Sequence, residues 1–315
     1  AIAKASHLVA FTGAGISAES GIPTFRGHSG IWKEYAPQVL EINFFRSNTA
    51  ESWRAIRDIF YAKAAETLPN KGHNVLADWE KRGILAHIIT QNIDDLHYRA
   101  GNRSISEYHG NIRNLVCLKT GNILPFTPEI LANGEAVPMS PWGGVLKPDF
   151  VFFGEGIPVE AATRAMQEAR ACDVMLVIGS TGEVYPAAQL PDIAAHSGAT
   201  IIEINPDRSN FTGRITDIHL PYPSGQVLPL LDSLIVGSGR AGGSAKASEG
   251  STASDGAAGP GSAAASARAG AGGYGGPAAA STGDGVAGER GAGGSGAADA
   301  AAGTGGGAAG DEGQA

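Results

Sequence analysis

The segment FTGAGISAESGIPTFRG, residues 11–27, contains the first residues whose types and spacing suggest chemistry. Gly13, Gly15 and Ala18 follow a short apolar strand with the spacing G-x-G-x-x-A, which brings the backbone close to a pyrophosphate at the start of a helix. Pro23 cannot continue that helix, so the predicted helix is only about two turns long. The glycine turn therefore leads into a long polar loop instead of a second strand.

Amide and carboxylate side chains follow another apolar strand, in the sequence TQNIDDLH. Gln91, Asn92 and Asp94 carry donors and acceptors that can bond ribose hydroxyls or a carboxamide. Asn92 or Asp94 could instead cap a short helix at 96–100, and for Asp94 both interpretations can hold together. Asp95 is interpreted as a cap or a surface residue.

One histidine and two strand ends complete the set of candidate residues. His109 lies in SEYHGN, and a histidine suits proton removal at cellular pH, although a lone histidine is usually structural or exposed. Gly179–Thr181 and Asn205 each follow an apolar strand. Small residues there let a diphosphate or a ribose approach, and ordinary turn chemistry accounts for them equally well.

Apolar strands alternate with helical patterns, and this alternation must position the candidate residues. Several runs are apolar almost throughout, which is typical of parallel strands covered on both faces. The pattern predicts an α/β fold with a doubly wound, mostly parallel Rossmann-like sheet, in which the tails TGAG, TQNIDD, IGSTGE and INPD converge at the carboxyl edge. The predicted strands are 8–11, 84–90, 151–153, 174–178 and 200–204, and the predicted helices are 51–67, 71–82, 158–171 and 186–197.

Two excursions and a tail depart from this alternation. Residues 21–70 and 111–147 are predicted to form a small second lobe over the crevice, within a catalytic domain that spans 1–236. Residues 237–315 contain 26 of the 46 glycines. Such a segment buries too little apolar surface to offset its ordering entropy, so we predict a disordered Gly/Ala-rich tail.

Charge, hydropathy and cysteine content argue against several classes of protein. The formal net charge is −8 and no basic run stands out, so nucleic-acid binding has little support. The sequence lacks an apolar stretch of about 18 residues, and no membrane association is expected. Two cysteines, Cys117 and Cys172, are too few for a disulfide framework, which favours a cytoplasmic location.

The chain resembles the sirtuins, a family of NAD-dependent protein lysine deacylases, in motifs that occur in that family's order and spacing. The resemblance covers about residues 5–235 and rests on GAGISAESGIPTFRG, GIW, TQNIDDLHYRAG, YHGN, KPDFVFFGE, IGSTGEVYPA and INPD. It implies that the loop after the glycine turn closes over NAD. It also implies transfer of an acyl group from a protein lysine to ADP-ribose, with nicotinamide and O-acyl-ADP-ribose as products.

The resemblance further implies a role for each site residue. His109 would be the general base, and Asn92 and Asp94 would be catalytic residues that position the cofactor and the attacking water. The residues implied to bind NAD are Gly13, Ala14, Gly15, Ile16, Phe25, Arg26, Trp32, Gln91, Asn92, Ile93, Asp94, Gly179, Ser180, Thr181, Asn205 and Gln226. Those implied to bind the acyl-lysine peptide, which would add as a β-strand, are Tyr61, Val151, Phe153, Gly154, Glu155, Gly182 and Glu183.

The chain departs from the family pattern at its zinc site. Most sirtuins hold a structural zinc with two Cys-x-x-Cys pairs, because four thiolates form a closed tetrahedral site. Here the first pair reads Cys117-Leu118-Lys119-Thr120, and Ser140 lies near the second position. Cys117 is the only remaining candidate ligand, so structural zinc is not expected and packing must hold the small lobe together.

A second departure concerns the choice of acyl group. Sirtuins that prefer acidic acyl groups carry Tyr-x-x-Arg, whereas this chain has Tyr61 followed by Ala64. Lys63 is one position away, which is about 100° around a helix. Acetyl is therefore the favoured acyl group, and longer acyl groups remain an alternative substrate.

Other functions remain open at this point. Mono-ADP-ribosyl transfer or NAD hydrolysis would use the same site, and the motifs do not separate them from deacylation. A hydride-transferring dehydrogenase would need an acidic residue at the end of a second strand, but Glu34 lies in a loop without a preceding strand. The incomplete zinc site allows a catalytically inert NAD-binding module, against which the retained His109 and Asn92 argue.

Overall fold

The computed structural model of the protein describes residues 1–24, 30–62, 66–132 and 134–241. Phe25, Arg26, Lys63 and Ala64 lie outside these ranges, as does almost all of the tail for which disorder is predicted. What the sequence indicates for these residues therefore stays a prediction.

The strands of the described residues form two sheets. Five parallel pairings join the six strands of the larger sheet in the order β3-β2-β1-β7-β8-β9, and the smaller sheet is antiparallel in the order β5-β4-β6. The strands are β1 (Leu8–Thr12), β2 (Leu85–Thr90), β3 (Ile105–Glu107), β4 (Gly110–Cys117), β5 (Ile123–Pro125), β6 (Leu146–Phe150), β7 (Val174–Ile178), β8 (Thr200–Ile204) and β9 (Ile218–Leu220). The doubly wound, mostly parallel sheet is confirmed, and its strand order reverses between β1 and β7.

Four of the helices lie at the positions predicted for them, and the one predicted over 51–67 is much shorter. The helices of the described residues are α1 (Ile42–Ser47), α2 (Thr49–Ile56), α3 (Lys71–Lys81), α4 (Leu96–Ala100), α5 (Pro128–Ala132), α6 (Val159–Ala171), α7 (Gln189–His196) and α8 (Ser224–Ala241). The helix predicted over 51–67 ends as an α-helix at Ile56 and continues as one π-helical turn over Arg57–Tyr61. None of the helices in the described ranges combines the length and apolar character needed to span a membrane.

Helices cover both faces of the parallel sheet, as its apolar strands require. Alternate side chains of β1 point to opposite faces: Val9 and Phe11 lie in one buried cluster, and Leu8 and Ala10 lie in another. The first cluster includes residues of α6 and α7, and the second includes residues of α3 and α8. Because burial on both faces leaves little surface along the strands, polar groups are concentrated at the strand ends.

The small lobe has an apolar core of its own. Phe45, Trp53, Leu115 and Phe152 are completely or almost completely buried there, and the core unites α1 and α2 with β4 and β6. The predicted small lobe from two excursions is therefore confirmed. Leu124, Phe126, Ile130 and Leu131 pack against this core and are only partly buried, whereas Ile123 and Trp142 are exposed.

The prediction of a strand at 151–153 is wrong. The nearest strand, β6, ends at Phe150 and belongs to the antiparallel sheet. The Val151 N–H donates to the His109 carbonyl (2.9 Å), and the Phe153 N–H donates to the Leu40 carbonyl (2.8 Å). Because successive backbone groups bond to different neighbours, these residues form a bent connection instead of a ladder, although their apolar composition resembles a strand.

Candidate active site

The glycine turn after β1 contacts the turn after β7 where the strand order reverses. The Gly13 N–H donates to the Ile178 carbonyl (2.9 Å), and the Gly15 N–H donates to the Gly179 carbonyl (2.9 Å). In an open parallel sheet, this reversal point is where ligands bind. The two glycine-containing tails therefore converge as predicted.

Only glycine fits at position 179, because the two turns pack backbone against backbone. Gly179 has a φ of +62°, and a Cβ there would lie 2.4 Å from the Ile16 nitrogen. A Cβ on Gly15 would lie 2.6 Å from the Gly179 Cα. Real Cβ atoms do not approach other atoms so closely, so the two turns can pack this tightly only without side chains at these two positions.

The helix after the glycine turn is short, as predicted. It is a 3-10 helix over Ala14–Ser20, and Gly21 ends it with a φ of +87°. The Gly21 N–H donates to the Ala18 carbonyl (3.0 Å), and the Ile22 N–H donates to the Ser17 carbonyl (3.4 Å). The chain then leaves the sheet toward the polar loop.

Gln91 and Asn92 connect the end of β2 to both turns. Gln91 Nε2 donates to the Ser180 hydroxyl (2.9 Å). Asn92 Nδ2 donates to the Gly13 carbonyl (3.1 Å) and to the Ser17 hydroxyl (3.2 Å). The structure thus brings these predicted site residues together at one edge of the sheet.

Asp94 caps a helix and also bonds to a residue that the sequence analysis missed. Its Oδ1 accepts the N–H of Leu96 at the start of α4 (3.0 Å), and its Oδ2 accepts the Ser17 hydroxyl (2.6 Å). Burial raises the pKa of Asp94, and these two hydrogen bonds oppose the rise. Ser17 forms hydrogen bonds with both Asn92 and Asp94. The available signal in the sequence was its position, a hydroxyl side chain two residues after Gly15.

His109 lies beside Gln91, and a backbone bond determines its tautomer. Its Nδ1 is 3.0 Å from the Gln91 carbonyl oxygen. Because a carbonyl can only accept, Nδ1 must carry the proton, and the neutral ring then has its lone pair on Nε2. Burial lowers the pKa of His109, and the bond to Gln91 opposes this effect.

Two buried histidines lie beneath the site and make polar contacts within the protein. His97 Nε2 is 3.0 Å from the Thr12 hydroxyl, which donates to the Thr90 hydroxyl (2.8 Å). The rings of His73 and His97 lie edge to face, with centroids 4.9 Å apart. Burial lowers the pKa of His73 to about 4 and that of His97 well below its usual value. Both rings are therefore neutral at cellular pH.

Three other residues of the predicted cofactor set lie on different sides of this site. Asn205 follows β8, and its Nδ2 donates to the Ser180 carbonyl (3.2 Å). Ile93 accepts the Ile112 N–H (3.0 Å) and is half-buried. Gln226 is exposed on α8. The geometry therefore includes Asn205 in the cluster of strand ends, whereas the cofactor role of Gln226 stays a prediction.

The bent connection at 151–155 buries one of its two phenylalanines and exposes the other. Phe152 is buried in the small-lobe core, whereas Phe153 is 49% exposed. The Trp32 and Phe153 rings are near each other, with centroids 6.2 Å apart. Gly154 has a φ of +87° and turns the chain beside Ile42. Val151 and Phe153 are thus available for the predicted substrate contacts.

A buried lysine holds this connection in place. Lys147 Nζ lies 2.9 Å from Glu155 Oε2, and the Lys147 side chain is only 4% exposed. Glu155 also accepts the Phe152 N–H (2.8 Å). Because a buried charge is costly unless it is paired, this ion pair fixes the bend.

Asn210, in the loop after β8, holds the segment 181–183 by hydrogen bonds. Asn210 donates from its N–H to the Thr181 carbonyl (3.0 Å) and from Nδ2 to the Gly182 carbonyl (3.2 Å). Gly182 has a φ of +72°, and a Cβ there would lie 2.8 Å from the Phe211 ring. Gly182 is buried, whereas Thr181 and Glu183 are exposed.

Tyr61 is buried in the small lobe. Its hydroxyl donates to the Ile112 carbonyl (3.1 Å), and its ring lies 4.3 Å from that of Phe126. Burial raises the pKa of this phenol. The side chain is thus neutral and already hydrogen-bonded, and its predicted substrate contact stays a prediction.

The residues at the family's zinc position form hydrogen bonds that do not match a metal site. The Ser140 hydroxyl donates to Cys117 Sγ (3.1 Å) and accepts the Gly144 N–H (3.1 Å). Hydrogen bonds from the hydroxyls of Ser140 and Thr120 lower the pKa of Cys117 to about 7. In the described ranges, no group of three or more His, Cys, Asp or Glu side chains could hold a metal ion. The donor set therefore does not fit zinc.

Removal of metal ions is expected to leave this protein's stability unchanged. A structural zinc contributes about 10–16 kcal/mol to the folding of small zinc domains. At this position, in contrast, the hydroxyls of Ser140 and Thr120 form hydrogen bonds to the Cys117 sulfur. Purified protein should contain substoichiometric zinc by elemental analysis, and EDTA should not shift its melting temperature. One zinc per chain, with a lower melting temperature in EDTA, would contradict this prediction.

Comparisons with known proteins agree with this geometry. The Sir2 family model matches residues 13–186. The chain is 42% identical over 236 residues to NAD-dependent protein deacylase 2 of Pyrobaculum aerophilum, a match that covers 73% of this chain and 91% of that protein. The solved complex of a Sir2 homologue with NAD has a TM-score of 0.69 at 38% identity, covering 75% of this chain and 92% of the other. A Sir2 structure with a deacetylated p53 peptide and 3'-O-acetyl ADP ribose has a TM-score of 0.70 at 32% identity, covering 74% and 95% of the two chains.

These matches extend well beyond the glycine turn. The family model covers more than half of the chain, from the glycine turn through the segment that follows β7. The relatives match over nearly their full length, so the likeness includes the small lobe as well as the parallel sheet. The chain therefore belongs to the Sir2 family.

Proposed function

We propose that this protein is an NAD-dependent protein lysine deacylase that acts mainly on acetyl-lysine. The observation that carries the proposal is the hydrogen-bonded path from His109 through Gln91 to Ser180, at the reversal point of the sheet. Family membership and the curated relatives named NAD-dependent protein deacylases support it.

The residues at the carboxyl edge of the sheet fit NAD in chemistry and in shape. Gln91, Asn92, Ser180 and Asn205 offer amides and a hydroxyl, which suit ribose hydroxyls and a carboxamide. The contact between Gly15 and Gly179 leaves no side chain on the floor of the crevice. NAD supplies the ADP-ribosyl group that accepts the acyl group, and nicotinamide is released. We expect these residues to hold it.

In this proposal, His109 is the general base. Its Nδ1 donates to the Gln91 carbonyl, so Nε2 is the nitrogen that takes a proton from a sugar hydroxyl. The buried, neutral ring is the form that can accept this proton. Asp94 and Ser17 hold the neighbouring Asn92 through their hydrogen bonds, which supports a positioning role for this group.

We assign the protein substrate to the bent connection at 151–155 and the segment 181–183. An extended peptide can add to such segments by main-chain hydrogen bonds, which tolerate many sequences. The exposure of Phe153, Thr181 and Glu183 supports this assignment, as do the p53 peptides bound in solved Sir2 structures. Tyr61 supplies no positive charge for an acidic acyl group, which favours acetyl-lysine.

The reaction rate is expected to fall in acid with a midpoint below the pKa of an ordinary histidine. Burial lowers the pKa of His109. The buried ring therefore stays neutral, and able to accept a proton, at pH values where an exposed histidine would already be protonated. Activity should therefore be constant near pH 7 and decline only below about 6.5. The measurement is kcat against pH at saturating NAD and peptide, and a midpoint above about 6.5 would contradict the prediction.

The decisive experiment identifies the products by mass. The protein is incubated with NAD and an acetyl-lysine peptide, with the matching succinyl-lysine peptide as the comparison substrate. We expect equal amounts of nicotinamide, O-acetyl-ADP-ribose and deacetylated peptide, and slower reaction of the succinyl peptide. Free ADP-ribose, or ADP-ribose attached to protein without deacetylation, would instead indicate NAD hydrolysis or mono-ADP-ribosyl transfer.

A further inference from the structure

One guanidinium bridges the two segments that carry the candidate catalytic residues. Arg113, on β4, donates from Nη1 to Asp95 Oδ1 (2.5 Å) and to Glu107 Oε1 (2.6 Å). Its Nη2 donates to Glu107 Oε2 (2.6 Å). Asp95 directly follows the segment 91–94, and Glu107 lies two residues before His109. The bridge therefore links the segment that carries Gln91, Asn92 and Asp94 to the segment that leads to His109.

The surroundings of Arg113 leave its side chain little freedom. The two bonds to Glu107 form a charge-assisted fork, which fixes the plane of the guanidinium. The Asp95 side chain is 14% exposed and that of Glu107 is 20% exposed, so water screens these contacts only in part. The Arg113 guanidinium also lies 4.7 Å from the centre of the Tyr98 ring, within the range of a cation–π contact.

Asp95 has an unusual backbone conformation that this bridge helps to maintain. Its φ is +66°, and no other non-glycine residue in the described ranges has a positive φ. Such a conformation is uncommon and persists where surrounding contacts determine it. Asp95 is the N-cap residue of α4, in line with one of its two interpretations, but its half-buried carboxylate bonds to Arg113 instead of to a helix N–H.

The segment that carries His109 is joined to the segment 91–95 by main-chain contacts as well. The Ile112 N–H donates to the Ile93 carbonyl (3.0 Å), and His109 itself donates to the Gln91 carbonyl. Gly110 has a φ of +73°, and a Cβ there would lie 2.2 Å from the Asp149 carbonyl oxygen. Arg113 adds a charged side-chain link to this tightly packed region.

We propose that Arg113 is a positioning residue that holds the His109 segment against the segment 91–95. It acts through Asp95 and Glu107 and not on the reacting atoms. This inference rests on the proposed function of His109 as general base. Without the bridge, the two carboxylates lose their common partner, and the imidazole loses part of the support that fixes its place beside Gln91.

The kinetic test compares R113M with R103M. Arg103 is a matched control because its guanidinium lies 4.2 Å from the same Tyr98 ring and donates to the carbonyls of Tyr98 and Asn102. R113M should lower kcat for deacetylation about ten- to a hundredfold, because small displacements of a catalytic group are costly. The KM for NAD should stay close to the wild-type value, whereas the urea midpoint should fall, because two half-buried carboxylates lose their shared partner. R103M should match the wild type in kcat.

A second test follows the His109 NMR signal in the free protein during a pH titration. Loss of the bridge should raise the titration midpoint of His109, because a displaced ring is less buried. D95G removes the other end of the bridge, and glycine tolerates the positive φ at this position. If the bridge acted only through its charges, loss of the Arg113 cation would raise the His109 midpoint and loss of the Asp95 carboxylate would lower it. Release of the ring, in contrast, raises the midpoint in both variants. If R113M does not fold, R113K, which keeps the charge without the planar fork, should show the same upward shift.

Several outcomes would overturn this inference. They are a wild-type kcat in R113M, an equal loss of kcat in R103M, or opposite midpoint shifts in R113M and D95G. Absence of O-acetyl-ADP-ribose with the wild-type protein would contradict the proposed function instead. The NMR titration uses neither NAD nor peptide, so it tests the bridge in either case.

Discussion

Replacement of His109 by alanine is expected to lower the rate of lysine deacetylation by about 10²–10⁴-fold, the usual contribution of a general base. The ring donates from Nδ1 to the Gln91 carbonyl (3.0 Å), which leaves Nε2 as the proton acceptor. Alanine removes that acceptor but leaves the glycine turn and Gly179 in place. NAD should therefore still raise the melting temperature of the variant, whereas the formation of O-acetyl-ADP-ribose should nearly cease.

His196 offers a matched control for this experiment. It also places Nδ1 near a backbone carbonyl, that of Asp192 (2.7 Å), but it lies exposed on α7. H196A should keep the wild-type rate. A wild-type rate in H109A would remove His109 from the mechanism, and an equal loss in both variants would point to a general effect of histidine replacement.

Replacement of Gly179 by alanine is expected to cause the largest loss of stability. The new Cβ would lie 2.4 Å from the Ile16 nitrogen and 2.6 Å from the Gly15 Cα, and both are backbone atoms. Neither turn can move without breaking the bond from the Gly15 N–H to the Gly179 carbonyl. The free energy of unfolding should fall by more than about 4 kcal/mol, as expected of severe overpacking, and NAD affinity should fall with it.

Replacement of Gly83 by alanine is the control that separates steric conflict from backbone strain. The φ of Gly83 is +71°, close to that of Gly179, but a Cβ there would have no heavy atom within 4 Å. G83A should therefore lose only about 1–2 kcal/mol, the cost of a left-handed conformation. Urea unfolding measures both variants, and calorimetry with NAD at low temperature measures binding by any folded G179A. Equal losses in the two variants would contradict the close contact at the floor of the site.

Much of the fold could be predicted because its signals are local. The apolar runs before Gly13, Gln91, Gly179 and Asn205 indicated four parallel strands, and β1, β2, β7 and β8 occupy those positions. Pro23 and Gly21 indicated an early end to the first helix. The same reasoning was wrong at 151–153, because composition alone does not show which partner each backbone group will bond.

The types of residue in the candidate site could be predicted, but several of the hydrogen bonds that join them could not. Gln91 and Asn92 could be named because polar residues at strand ends of a doubly wound sheet must converge, whereas the role of His109 came from the resemblance to the sirtuins. Ser17 was missed, although its hydroxyl bonds to Asp94 from 77 positions away. Arg113 had no motif to identify it, and Asp95 was interpreted only as a cap or a surface residue.

The sequence by itself determined four parallel strands with the helices between them, the residues that end those four strands, and the incomplete zinc motif. These follow from side-chain periodicity and from the backbone limits of glycine and proline, which act over a few neighbouring residues. Only the tertiary structure decided that Gly15 touches Gly179, that His109 donates to Gln91, and that Arg113 bridges two distant carboxylates. Such contacts depend on how the whole sheet and the small lobe pack, because burial and hydrogen bonding are satisfied between segments that lie far apart in the chain.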